Sequence, residues 1–201
     1  MTINLLNLLS EFRVVTDHES QTAFFRTHVP WVAPEAYLHM IFKPAARDVL
    51  ADAAQRQRIP PVFQEFLAIQ NGAILFSGAL SIYGVVHPGQ PLERSATFSR
   101  LPFSIESENS DWPPYDPDRF LAIGGYGFDG SRACIDRRSL QIALFQRGEA
   151  GLLSTPLLSW KSLEQWVREE ISRLSALFDA NGKRLVNESQ TLPHSGMWKH
   201  N

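Results

Sequence analysis

Along much of the chain, apolar residues recur at three- and four-residue steps, the spacing of a helix with one buried face. Ile3, Leu5, Leu6, Leu8, Leu9 and Phe12 predict an amphipathic opening helix. Thr22 to His28, holding Phe24 and Phe25, reads with this helical half and is closed by Pro30 and Pro34. Ala45 to Gln57 is rich in Ala, Arg and Gln, strong helix formers, and Pro44 suits a helix start. Ile59-Pro60-Pro61 breaks the chain. Val62, Phe63, Phe66, Leu67 and Ile69 then predict a helix over Val62 to Gln70, stopped by Asn71-Gly72. The clearest stripe is C-terminal: Leu163, Trp166, Val167, Ile171, Leu174, Leu177 and Phe178 share one face. Ser159 or Ser162 caps its start, and Gln165 is placed to close a capping box from Ser162.

The period changes in the middle. Leu80 to Val85 alternates apolar and small residues, as a half-buried strand does. Phe120 to Ile123, Arg132 to Asp136 and Gln141 to Gln146 are further strand candidates, joined by short polar or glycine-rich links. Links that short leave no room for parallel crossovers, so the strands form an antiparallel meander. The fold class is therefore α+β, a mostly antiparallel sheet flanked by helices. The helical N-terminal half precedes the sheet and the amphipathic C-terminal helix follows it. Three regions are expected: a helical extension over 1–40 packed on the domain, an α+β domain over 41–180, and a polar tail over 181–201 that folds back loosely.

Pro88 to Asp118 interrupts this order as a long segment of low periodicity. Within it Glu106, Glu108, Asp111, Asp116 and Asp118 stand with no basic residue among them, and Trp112 and Tyr115 lie between them. Such a run is a solvated loop, a partner surface where steering charge combines with aromatic anchors, or, with Glu106 and Glu108 paired in a pocket that splits their pKa values, an acid–base site. The partner-binding residues expected on the second reading are Glu106, Glu108, Asp111, Trp112, Asp116 and Asp118. Tyr126 and Asp129 on the neighbouring glycine turn complete the set.

Composition narrows the classes. With 201 residues, 44% hydrophobic and 20% charged, the chain is a globular protein rather than a disordered one. A net charge of -2 excludes a dedicated nucleic-acid binder, which carries a basic excess. One cysteine excludes an internal disulfide framework. The first twelve residues carry no Lys or Arg and no small-residue cleavage site, so the expected location is cytoplasmic, without a membrane span.

Candidate chemistry is sparse. Gly125-Tyr126-Gly127-Phe128-Asp129-Gly130 spells G-x-G-x-x-G, but a dinucleotide site needs a helix next, and Ser131 to Asp136 reads as a strand. The glycines are expected to make a hairpin. The histidines at 18, 28, 39, 87, 194 and 200 never fall at metal-ligand spacing, Cys134 reads as a core filler, and no G-x-S-x-G elbow is present. No catalytic residue, metal or cofactor is expected. An enzyme with residues meeting from distant positions stays open as an alternative.

Several strings together resemble the SUKH superfamily, which includes Smi/Knr-type cell-wall assembly regulators and bacterial toxin-immunity proteins. They are Ile59 to Leu67 with Asn71-Gly72, Leu80 to Gly84, Phe120 to Gly130, Ala133 to Asp136, and Ser159 to Trp166. The resemblance spans about residues 45 to 178 and implies helices packed on one side of the sheet. It implies a non-enzymatic domain that binds a protein partner, in bacteria most often a toxin such as a nuclease. An acidic surface would occlude that toxin's basic cleft. A scaffold of the Smi/Knr type is the other function it implies. Oligomeric state is left open.

Overall fold

Strand β6 (Phe120–Tyr126) organises the molecule, because all seven of its residues are buried. A strand buried on both faces requires cover on both. The computed structural model describes residues 3–11, 14–17, 22–26, 37–87, 101–179 and 182–194. Nine strands form one sheet in which each strand pairs antiparallel with its predecessor. They are β1 (Val14–Asp17), β2 (Thr22–Arg26), β3 (Tyr37–Phe42), β4 (Ala73–Leu75), β5 (Leu80–Ile82) and β6, then β7 (Arg132–Asp136), β8 (Ile142–Arg147) and β9 (Leu152–Trp160). The α+β class and the antiparallel meander are as the spacing predicts.

Among the described residues five α-helices accompany the sheet: α1 (Leu5–Leu8), α2 (Arg47–Gln57), α3 (Pro61–Leu67), α4 (Ile105–Asp111) and α5 (Leu163–Ser175). Helix α5 buries Leu163, Trp166, Val167, Ile171 and Leu174, the predicted stripe. Each such side chain stabilises the fold by about 1.5–3 kcal/mol. Ser162 caps it by accepting from the Gln165 N–H at 3.1 Å, while the Gln165 side chain accepts from Lys161 N–H instead of closing the box on Ser162.

Successive residues of β7 point to opposite faces. Arg132 meets Glu108 of α4 on one face. Gly124, in register with Ala133, faces Trp166 of α5 on the other. Helices therefore cover both faces, a correction to the one-sided packing the resemblance implies. Gly124 is glycine because a Cβ there would stand 2.6 Å from Ser81 O and 2.7 Å from Trp166 Cη2.

The first half departs most from expectation. Among the described residues of 1–40 the expected helical extension is replaced: one helical turn, α1, is followed by strands β1, β2 and the start of β3. The expected boundary at residue 40 falls inside β3. Thr22 to His28 was a helix by its reading and is strand β2 over Thr22–Arg26. A pair of adjacent phenylalanines fits a pleated strand as well as a helix, and pairing with β3 decides. The long segment before β6 is not wholly loop, since Ser104 caps α4 through the Ser107 N–H. Asn71-Gly72 does not cap α3, which ends at Leu67. Instead the Asn71 amide donates to Val85 O and accepts from Val85 N–H, each at 2.8 Å.

The segment after α5 also packs more specifically than a loose tail. Arg173 donates to Thr191 O at 2.7 Å, and Thr191, Leu192 and His194 are buried. Pro30 and Pro34, positions 88–100, Asn181 and positions 195–201 lie outside the described residues.

Candidate functional site

Helix α4 and the turn after it form a ridge on the β7 face carrying Arg132. Its seat is polar. Asn109 donates to Ala122 O at 2.8 Å and accepts from Ala122 N–H at 2.9 Å, so a side chain imitates a strand partner. Glu108 receives Arg132 at 2.9 Å, with side chains only 20% and 12% exposed. The same guanidinium donates to Gly130 O and lies 5.9 Å from the Tyr83 ring centre. Burial pushes the Tyr83 phenol well above its ordinary range.

The five acids expected to steer a partner fare differently. Glu106 pairs with Arg56 at the end of α2, and Asp118 pairs with Arg58 at 2.6 Å. The hydrogen bond from Arg58 holds the Asp118 carboxyl below its usual value. Asp116 accepts the Arg119 N–H at 3.1 Å, capping the turn into β6. Asp111 is exposed, and no ion pair to it is present among the described residues. Trp112 is half-buried under the Arg147 guanidinium, 3.3 Å from its ring centre. Three of the five carboxylates are thus matched by arginines, so the stretch is not the free acidic field its composition suggests. What the segment does present is two exposed aromatic rings, Phe103 at 42% and Tyr115 at 46%, and the exposed carboxylates of Asp111 and Asp118.

Arg137 ties the ridge to α2. It donates to Gln57 O and Arg58 O at the helix end and to Pro117 O and Phe120 O across the turn. Burial lowers its pKa. Asp136 is pushed up by burial, yet hydrogen bonds from Arg119, Arg138 and Ser139 bring it below the usual carboxylate value. These residues hold the ridge; the sequence reading missed them because the Arg137 contacts and the Arg119–Asp136 pair span 17 to 80 positions.

Tyr126 cannot touch a partner. It is 1% exposed in the core, and its hydroxyl accepts from Trp166 Nε1–H at 3.1 Å. A strand in the middle of a sheet alternates side chains toward opposite helices, and this one points at α5. Asp129 does reach the surface side of the β6–β7 turn. Its Oδ1 accepts from both the amide and hydroxyl of Ser131, and its Oδ2 lies 3.2 Å from His194 Nε2. That Ser–Asp–His order is not a nucleophile's: the base must bind the hydroxyl, and here the carboxylate sits between them.

The glycine motif is a hairpin, with Gly130 at φ +72 leading into β7. Cys134 is fully buried, and burial pushes its thiol up. Among the described residues no group of three or more His, Cys, Asp or Glu is gathered as a metal site. No helix among them is long and apolar enough to cross a membrane. Compared with models of protein families, with curated proteins and with solved structures, the chain matches none.

Proposed function

We propose that the chain is a non-enzymatic domain that docks a protein partner on the α4 ridge. The observation that carries the reading is the exposure of Phe103, Tyr115, Asp111 and Asp118 on a segment clamped to the sheet. Aromatic anchors on a rigid support lose little entropy on binding, and aromatic residues dominate interface energetics. Asp118 is 83% exposed and its partner Arg58 59%, so that surface pair stabilises the fold little and can be exchanged for a partner's base. The SUKH resemblance adds the specific form: a cytoplasmic immunity protein that covers a basic toxin domain, a nuclease being one such target.

The test asks whether a toxin domain is encoded beside this chain and pairs the two, read by growth rescue and by surface plasmon resonance. Wild type should rescue growth. The triple variant Asp111→Lys, Tyr115→Ala, Asp118→Lys should bind at least tenfold more weakly, with slower association. Unchanged affinity in a folded triple variant would remove the ridge from the interface; no binding by wild type would remove the immunity reading.

A further inference from the structure

We propose that the recess between the β6–β7 turn and the segment after α5 is a second site, one that takes a guanidinium group. It encloses about 340 Å³, within the range of small-ligand pockets, and is walled by Phe128, Asp129, Gln146, Gln190, Leu192 and His194. None of its described lining residues is Lys or Arg, so its one carboxylate meets no lysine or arginine within the recess.

The donor and acceptor arithmetic favours a cation rich in N–H groups. A carboxylate offers about four acceptor positions. Ser131 fills two on Asp129 Oδ1 and His194 one on Oδ2, and the side chain keeps 21% exposure. His194 is 3% exposed, and its Nδ1 is buried with no hydrogen-bond partner. A carboxylate only accepts, so a neutral imidazole must give its single proton to Asp129 through Nε2. Nδ1 is then a buried acceptor without a donor, on a residue that lines the recess, and a guanidinium carries five N–H donors. Gln146 adds an amide oxygen, while Gln190 Oε1 already accepts the Asn187 N–H at 3.1 Å. Phe128, 51% exposed at the tip of the turn, supplies a ring face on which a planar cation stacks. An ammonium ion matches the charge but not the planar fork.

The experiment is an amide and side-chain NMR titration of the full chain at pH 8. The probes are N-acetyl-arginine methylamide, the matching lysine amide, and agmatine. Saturable shifts at Phe128, Gln146, Gln190 and His194, at least fivefold tighter for the arginine amide than for the lysine amide, are expected. Phe128→Ala, an exposed turn position, should weaken binding about threefold, and Asp129→Asn should abolish it. Should Asp129→Asn fail to fold, Phe128→Ala and Gln146→Ala carry the test. Preference for the capped amide over agmatine assigns the group to a peptide; the reverse assigns it to a small molecule. Equal response to arginine and lysine, or shifts confined to the α4 ridge, would overturn the proposal. The probes act without any partner, so failure of the ridge reading leaves this result standing.

Discussion

Asn109 and Ala122 share two hydrogen bonds, 2.8 and 2.9 Å, that seat α4 on the central strand. The amide satisfies both backbone groups of a fully buried residue, beside the register shift between Ala122 and Gly124. One side chain thereby fixes where the ridge stands.

Replacing Asn109→Ala leaves a buried N–H and a buried C=O without partners. The expected cost is about 2–4 kcal/mol, read as a lower urea midpoint with unchanged slope. Asn109→Asp keeps the acceptor and loses the donor, so it should also destabilise.

Glu108 and Asp111 lie on one helix but play different parts. Glu108→Ala strands a largely buried arginine and should lower stability by about 1–3 kcal/mol. Asp111→Lys touches no ion pair among the described residues and should stay within about 0.5 kcal/mol of wild type. Urea unfolding of both variants checks the contrast, and equal losses would contradict it.

His39 makes stability depend on acid. Burial lowers its pKa from 6.5 to about 3, and its Nδ1 accepts from Phe76 N–H at 3.2 Å. Between those two values the unfolded chain binds the proton and the folded chain does not. Stability is therefore full above pH 6.5 and falls as pH drops toward 3, by up to about 1.4 kcal/mol per unit. Urea midpoints at pH 7.5, 6.0 and 5.0 should show this slope, and His39→Gln should flatten it.

Gly124→Ala tests the packing origin of the glycines in β6. The new methyl would press on Ser81 O and on the Trp166 ring. Loss of about 1–3 kcal/mol and an altered tryptophan emission are expected. A neutral result would mean that the two elements part easily.

Much of the second half was legible. Arg132 to Asp136 is β7 as read, and the α5 stripe is buried as its spacing requires. Turn residues and the helical period are local signals. In the first half α2, α3 and β5 lie where the spacing places them, but the strands before α2 were not legible, because short strands such as β1 and β2 gain stability only from each other and from β3. Tyr126 was misjudged for a related reason: a turn motif shows that the chain bends but not which side of the sheet a side chain enters.

The sequence by itself determined the β6–β7 and β7–β8 hairpins, the amphipathic last helix, and the strand that follows the glycine turn. These follow from free energies set within a few neighbouring residues. Only the tertiary structure decided that the acidic stretch is mostly neutralised, because Glu108, Glu106 and Asp118 meet arginines 24, 50 and 60 residues away. Charge acts through space, and folding sets those distances.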